Sequence, residues 1–539
     1  MHFTYNGRDL QCEEGLTISE ALRSCGVEMG SRSFRLRRWR DEPHPLKETP
    51  SAWVTVNGVP DVNAFRTRIA DGMNVESQSR WHPLSVAGKY AGAGFYYRHF
   101  TRSEFLRRIF FNSIRKVSDY GGNALNIPEQ AGIEELSFEE ASTISPDKLI
   151  VGAGRSGLGA LAALTGSNGV LIVDAMPRTM LEANFAMEAG LVEKYGTLDA
   201  LLKDAGAQLI EETTVIGAYP GPLFCALKQE RKVLFIRPNK TLLCVGSEEI
   251  KPLFRGNDLP GVVTAHTLRR FPLYYKATHS ALYIEDRELL PHLRILNASA
   301  HFRTIILKEQ DESYLKELQT IFPASEIITG EVQAAYGARH VETIRLSGGR
   351  RRFLRCDLLV IAGRRQPRIE LPSLLGAAMR FEESYCMPVP ITDTHYRCDS
   401  GVYVCGSTLS PHLDTFSSGL NAAIAMMGRE HAPPPTSASA VPCIAKAPAN
   451  QGVVCFCLDV TARDMQWMAS NGYNTLNRMK RFSGLFMGPC QGARCFRNAC
   501  EHYRNCTGLQ PELTTIRPPL MPVYIGALAA GWEEYEKGV

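Results

Sequence analysis

One stretch constrains this chain more than any other: Leu149-Ile150-Val151 runs directly into Gly152-Ala153-Gly154-Arg155-Ser156-Gly157. An apolar strand ending in G-x-G-x-x-G and continuing as a small-residue helix, here Leu158 to Leu164, predicts a Rossmann-type βα unit. Each glycine has its own task. Gly152 permits the tight turn, Gly154 lets the backbone approach a pyrophosphate, and Gly157 lets the helix pack close to the strand. The helix N-terminus then faces the phosphates. A second strand, Val170-Leu171-Ile172-Val173, ends in Asp174, where a carboxylate is expected to take ribose hydroxyls. A glycine turn alone occurs in many βα units. Here strand, glycines, helix, second strand and acid all fall in register, which predicts an adenine nucleotide (NAD, ATP or FAD) held by Gly152, Gly154, Gly157 and Asp174.

Flavoprotein reductases of this fold carry a second such motif for NAD(P)H. The candidate strand is Ala281-Leu282-Tyr283-Ile284, followed by Glu285-Asp286-Arg287-Glu288. It has no glycines, and acids at that helix start would repel a phosphate; the second site is expected to be degenerate. A late strand, Gly401-Val402-Tyr403-Val404-Cys405-Gly406-Ser407, ends in Ser407 where such enzymes place an Asp against the flavin's ribityl chain. That substitution leaves the choice among NAD, ATP and FAD open.

Cysteine usage supplies the second constraint. Of 15 cysteines, five crowd between Cys455 and Cys500, and the rest are scattered as thiols expected to stay reduced. Cys455-Phe456-Cys457 and Cys490-Gln491-Gly492-Ala493-Arg494-Cys495 form a C-x-C…C-x4-C pattern. Two close thiolate pairs give four soft ligands, suited to [2Fe–2S] or to zinc. Zinc sites favour C-x2–4-C at both ends, whereas the C-x-C start with a long gap resembles the ferredoxin associated with bacterioferritin, whose ligands hold [2Fe–2S]. Thr461-Ala462-Arg463-Asp464 and Asn471-Gly472-Tyr473 mark a helix start and end between the pairs. Cys500 and Cys506 fall outside the pattern.

Composition excludes some function classes. With 44% apolar and 22% charged residues the chain is ordinary globular material. No apolar run is long enough to span a bilayer, and Met1-His2-Phe3-Thr4 lacks the layout of a secretory signal, so a cytoplasmic protein is expected. A net charge of +4 over 539 residues argues for no nucleic acid, and the run Arg35, Arg37, Arg38, Arg40 reads as a solvated face. The 13 histidines show no metal-binding spacing; His266, His279 and His412 read as ordinary polar residues.

The organisation follows. Residues 1–85 read as an α+β unit: His2 to Tyr5 turns at Asn6-Gly7, Thr17-Ile18-Ser19-Glu20 starts a capped helix, and Ala52 to Val56 is a strand. Residues 86–145 are a connecting arm, and 146–430 the α/β nucleotide-binding domain with its degenerate second half. The Pro-, Ser- and Ala-rich stretch within 431–450 is a linker. Residues 451–508 form the Cys-rich module and 509–539 a Pro-punctuated tail.

With these pieces in order, the chain resembles the α subunit of heterotetrameric sarcosine oxidase and its relatives, the dye-linked proline and hydroxyproline dehydrogenases, opine oxidases and hydrogen cyanide synthase. Gly30-Ser31-Arg32-Ser33-Phe34, Glu76-Ser77-Gln78-Ser79-Arg80-Trp81 and Ala93-Gly94-Phe95-Tyr96-Tyr97 are similar to stretches of that family. So are Phe254-Arg255-Gly256-Asn257-Asp258-Leu259-Pro260-Gly261 and the run from Arg517-Pro518-Pro519 to Gly526-Ala527-Leu528-Ala529. The resemblance implies a two-dinucleotide-binding-domain flavoprotein fold with an N-terminal ferredoxin-like domain and a C-terminal bacterioferritin-associated-ferredoxin-like [2Fe–2S] domain. It implies the cluster on Cys455, Cys457, Cys490 and Cys495, FMN shared at an interface, and a glycine/D-amino-acid-oxidase-like β subunit bearing FAD, in a heterotetramer or higher, with a separate electron acceptor. Two departures matter. The N-terminal unit offers only Cys12 and Cys25, too few for a cluster, and the chain stops at Val539 without the folate-binding domain of sarcosine oxidase α, so folate chemistry is not expected.

The function expected is that of an electron-transferring α subunit of an amine or amino-acid dehydrogenase or oxidase, with no catalytic residue of its own. Two alternatives stand beside it: a self-contained NAD(P)H-dependent ferredoxin or disulfide reductase, which would need a second nucleotide motif and a redox C-x-x-C, and a non-enzymatic iron–sulfur sensor or scaffold.

Overall fold

The computed structural model describes residues 1–27, 31–32, 38–40, 53–65, 67–77, 138–229, 231–270, 277–285, 301–308, 312–348, 352–410, 414–434 and 451–538. The basic run but for Arg38 and Arg40, His412, Asp286 to Glu288, Ala93 to Tyr97 and nearly all of the arm and linker lie outside these residues. The chain divides into two units: residues 1–43 with 49–136, and residues 44–48 with 137–539.

The first unit is built on β1 (His2–Tyr5), β2 (Arg8–Gln11), α1 (Ile18–Ser24), β3 (Trp53–Val56), β4 (Val59–Asn63) and β5 (Met73–Ser77). The turn between β1 and β2 has positive φ at Asn6 and Gly7, the combination a two-residue hairpin needs. Thr17 and Glu20 close a capping box at the start of α1. The sheet order is β2-β1-β5-β3-β4, with only β1 and β5 parallel. Ile18, Ala21 and Leu22 of α1 pack onto Phe3, Val54 and Val75 of the sheet. Cys12 and Cys25 are half-buried, and the Cys25 thiol donates to the Gln11 carbonyl at 3.1 Å.

The second unit holds two parallel sheets. The first runs β8-β7-β6-β9-β17, formed by β6 (Lys148–Val151), β7 (Val170–Val173), β8 (Ala207–Ile210), β9 (Lys240–Leu243) and β17 (Tyr403–Val404). Helix α2 (Arg155–Ala163) follows β6, and α3 (Thr415–Met426) lies against it. Their backbones meet: a Cβ at Gly159 would fall on the Phe416 carbonyl oxygen, and one at Gly419 on that of Ser156. Between β9 and β17 in sequence come the short strands β10 (Ser247–Glu249) and β16 (Arg365–Pro367), paired antiparallel, and the second sheet. That sheet runs β11-β15-β12-β13-β14, from β11 (Val262–Thr264), β12 (Ser280–Ile284), β13 (Thr304–Leu307), β14 (Glu326–Thr329) and β15 (Leu358–Ala362). Strands β7 and β15 are continuous apolar runs, and β6, β12 and β13 are apolar after their first residue, because both faces of a parallel sheet are covered.

The cysteine module follows: β18 (Val453–Cys455), β19 (Val460–Thr461), α4 (Ala462–Ser470), α5 (Leu476–Ser483) and α6 (Phe496–Thr507). Thr461 and Asp464 cap α4 reciprocally, and Asn471 ends it. Three details go beyond the organisation read in the sequence. Residues Glu139–Ile144, read within the arm, form a strand pairing parallel with Lys232–Ile236. The module is not free-standing, since Ile369, Tyr385, Met387 and Val389 of the preceding domain complete its core. The tail is not loose either: Met521 and Ala527 are buried against Ile216, Cys225 and Val233. In each case a partner strand or core distant in sequence supplies the order, which local pattern does not reveal. Among the described residues no helix is long and apolar enough to cross a membrane.

Candidate functional site

The first sheet reverses its strand order between β6 and β9, and a cavity of about 360 Å³ opens at the carboxyl ends of the strands there. That is the position where open α/β sheets bind ligands. Gly152, Gly154, Asp174, Cys244 and Ser407 line it. Gly152 has φ +106°, and a Cβ on it would strike the Cys244 carbonyl. Gly157 lies under the turn, where a Cβ would fall on the Gly152 carbonyl oxygen. Gly154 is the N-cap of α2, and the space its Cβ would occupy is open for 4 Å. The three glycines thus divide into two that the backbone requires and one that faces the cavity. Asp174 accepts from the amides of Ala153 at 2.6 Å and Met176 at 2.7 Å, so its carboxylate also clasps the glycine turn to the second strand. Arg155, inside the motif, is forked onto Glu188.

The far wall was not legible in the sequence. Glu249 of β10, His266 and Arg269 after β11, and Arg365 and Arg368 at β16 bring polar and charged side chains to the cavity. Arg368 pairs with Glu248, and the His266 amide donates to Glu249 at 2.7 Å. Burial pushes the Glu249 carboxyl up, opposed by Arg365. Burial likewise lowers the Arg269 guanidinium, opposed by Glu249. These residues come from three elements with no shared local period; the one sequence signal is a pair of acids followed directly by apolar Ile250. Ser407 accepts from the Ser247 hydroxyl at 3.1 Å, and its carbonyl accepts from Tyr385. Beneath the turn the buried thiols of Cys244 and Cys405 lie 3.4 Å apart. At the second sheet, β12 is followed directly by Glu285, whose amide donates to the Ala362 carbonyl at 2.9 Å. His279 sits 3.8 Å from Asp357, away from the cavity lining.

The four cysteines of the module are all buried. Their sulfurs form a chain of contacts in which Cys490 meets Cys457 and Cys495, and Cys495 meets Cys455. Both neighbouring thiols donate to Cys490, and Arg494 adds positive charge, so its pKa is well below that of a free thiol while Cys457 and Cys495 are pushed up. Among the described residues no three His, Cys, Asp or Glu side chains close around the point a single ion would take. Room is kept by glycine, because a Cβ at Gly488 would fall on Cys457 Cβ and lie 3.2 Å from its sulfur. Cys500 is buried apart from these contacts, its thiol raised by burial alone.

Strand β16 joins the two sites. Arg365 lines the cavity while its carbonyl accepts from Arg497 of α6. Gln366 donates to the Gly492 carbonyl at 3.0 Å and accepts from the Arg497 amide at 2.9 Å. Arg364 reaches Asn498 at 3.1 Å and pairs with Glu501.

Residues 1–80 match a domain model described as a 2Fe-2S iron-sulfur cluster binding domain, and residues 449–532 match the sarcosine oxidase A3 domain. The sarcosine oxidase subunit alpha of Rhizobium meliloti is 25% identical over an alignment of 599 positions covering 98% of this chain. Over nearly its whole length this chain is thus similar to sarcosine oxidase α. The same subunit of a Corynebacterium species is 23% identical over 74% of the chain. The chain spans about half the length of these relatives, 57% of the first and 46% of the second. Among solved structures, L-proline dehydrogenase from P. horikoshii superposes with a TM-score of 0.66 at 20% identity, covering 98% of this chain and 97% of that one. That likeness extends the fold from end to end of both chains, and the α/β architecture with its N-terminal ferredoxin-like unit accords with it.

Proposed function

We propose that this chain is the α subunit of a multi-subunit flavin-dependent dehydrogenase or oxidase that acts on the CH–NH group of an amino acid or secondary amine. Its Rossmann turn would hold an adenine nucleotide, and Cys455, Cys457, Cys490 and Cys495 a [2Fe–2S] cluster. The observation that carries the reading is the continuity of the two sites through β16, within a chain similar to sarcosine oxidase α. A bound cluster supplies one-electron transfer. The chain's residues do the rest: Gly154 leaves the phosphate approach open, Arg269 and Arg365 bring positive charge to the cavity, and Gln366 and Arg497 fix the cluster module beside it. The N-terminal unit, with two cysteines, is a scaffold in this reading.

An FAD-bearing, glycine/D-amino-acid-oxidase-like β subunit, with FMN shared at its interface, and an electron acceptor complete the proposal on the likeness to sarcosine oxidase α. Its setting is the cytoplasm. Purification from the native host followed by mass spectrometry tests it: the chain should co-purify with a flavoprotein and oxidise an amino acid only in that complex. A lone chain that reduces an acceptor dye with NADH as sole donor would overturn it.

A further inference from the structure

The turn that carries Cys455 and Cys457 is backed by two cations that the reading above leaves without a task. Phe456 stands between the two cysteines. Lys251 Nζ lies 4.7 Å from the centre of its ring, and the Arg494 guanidinium 5.9 Å from it. Both cations are buried, at 3% and 8% exposure. Lys251 reaches this position from the segment after β10, its ammonium donating to the Val262 carbonyl at 2.9 Å. Arg494 lies within the loop from Cys490 to Cys495. One cation therefore comes from the nucleotide domain and one from the ligand loop, and they meet at the same ring. Burying a cation is costly, and the field of a buried charge is weakly screened.

We propose that Arg494 and Lys251 set the reduction potential of the iron–sulfur centre, holding it above the value its four thiolates would otherwise give. The inference rests on the cluster assignment made above. The physical basis is direct. Uptake of one electron makes and breaks no bond and adds one negative charge to a centre already negative. Net charge near a cluster and its exposure to solvent are what set its potential. A buried cation stabilises the reduced form more than the oxidised one. Removing it therefore lowers the potential, and a replacement of equal charge restores it.

The experiment is a redox titration of the full chain, monitored by the visible and paramagnetic-resonance signals of the centre, with iron and sulfide assayed alongside. At the ambient potential that half-reduces the wild type, Arg494→Gln and Lys251→Gln should each lower the ratio of reduced to oxidised centre about tenfold, 59 mV for a one-electron couple. Arg494→Lys should titrate close to the wild type. Arg478→Gln, which removes an exposed cation on α5 of the same module, should leave the curve in place. Loaded Arg494→Gln and Lys251→Gln proteins that titrate with the wild type would overturn the inference. So would loss of iron and sulfide from both while Arg494→Lys stays loaded, since the cations would then be structural supports. Wild-type chain with zinc and neither iron nor sulfide would sink the cluster assignment itself, and this inference with it.

Discussion

At the scale of single residues, the glycine turn separates binding from folding. Gly157 is pinned beneath the Gly152 carbonyl, so Gly157→Ala must move backbone, and it is expected to cost about 2 kcal/mol of stability in denaturant unfolding. Gly154 faces open space. Gly154→Val should change stability by about 1 kcal/mol or less, yet abolish nucleotide retention measured on the extracted ligand. Retention surviving in that variant would show the assigned cavity to be wrong. Asp174→Ala should do some of both, because the carboxylate that is placed to meet a ribose also ties Ala153 to Met176. In the module, Cys490→Ser should remove iron and sulfide, whereas Cys500→Ser should leave them. Gly488→Ala, which drives a methyl group into Cys457, should lower cluster content without touching a ligand.

At the scale of elements, what was legible was whatever is contiguous. The β6 turn, the capping boxes at Thr17 and Thr461, and the Asn6-Gly7 hairpin are each written within a few residues, and the structure forms all of them. The far wall of the cavity and the seam along β16 were not. Arg269, Arg365, Gln366 and Arg497 acquire their roles only when parallel sheets bring remote segments side by side, which leaves no local period to read. Helix α6 shows the same dependence in its titration. Burial holds the His502 imidazole below its ordinary range, with its Nε2 hydrogen bond to the Ala462 carbonyl opposing. A folded-state pKa that is depressed contributes stability present above the unfolded value, about 6.5, and lost as pH falls through the folded one. Melting temperatures taken from pH 8 down to 5 should therefore decline on the acid side, and His502→Gln should decline less steeply. Parallel slopes in the two proteins would remove His502 from the account.

At the scale of the whole molecule, the second unit is two parallel sheets with a cysteine module completed by its neighbours' side chains, so the cysteine loops depend on the domain that carries the cavity. Detaching residues 451–538 should accordingly expose the apolar surface of Ile369, Tyr385 and Met387 and leave a fragment that aggregates or melts early, observable by size-exclusion chromatography. The crossing of α2 and α3 has a different consequence. At Gly159 and Gly419, 260 positions apart, each backbone occupies the place where the other's side chain would begin. Randomised together and selected for soluble protein, these two positions should return glycine at both. The pair is a two-letter password for the fold, shared between distant stretches of the chain and independent of whatever ligand the cavity takes.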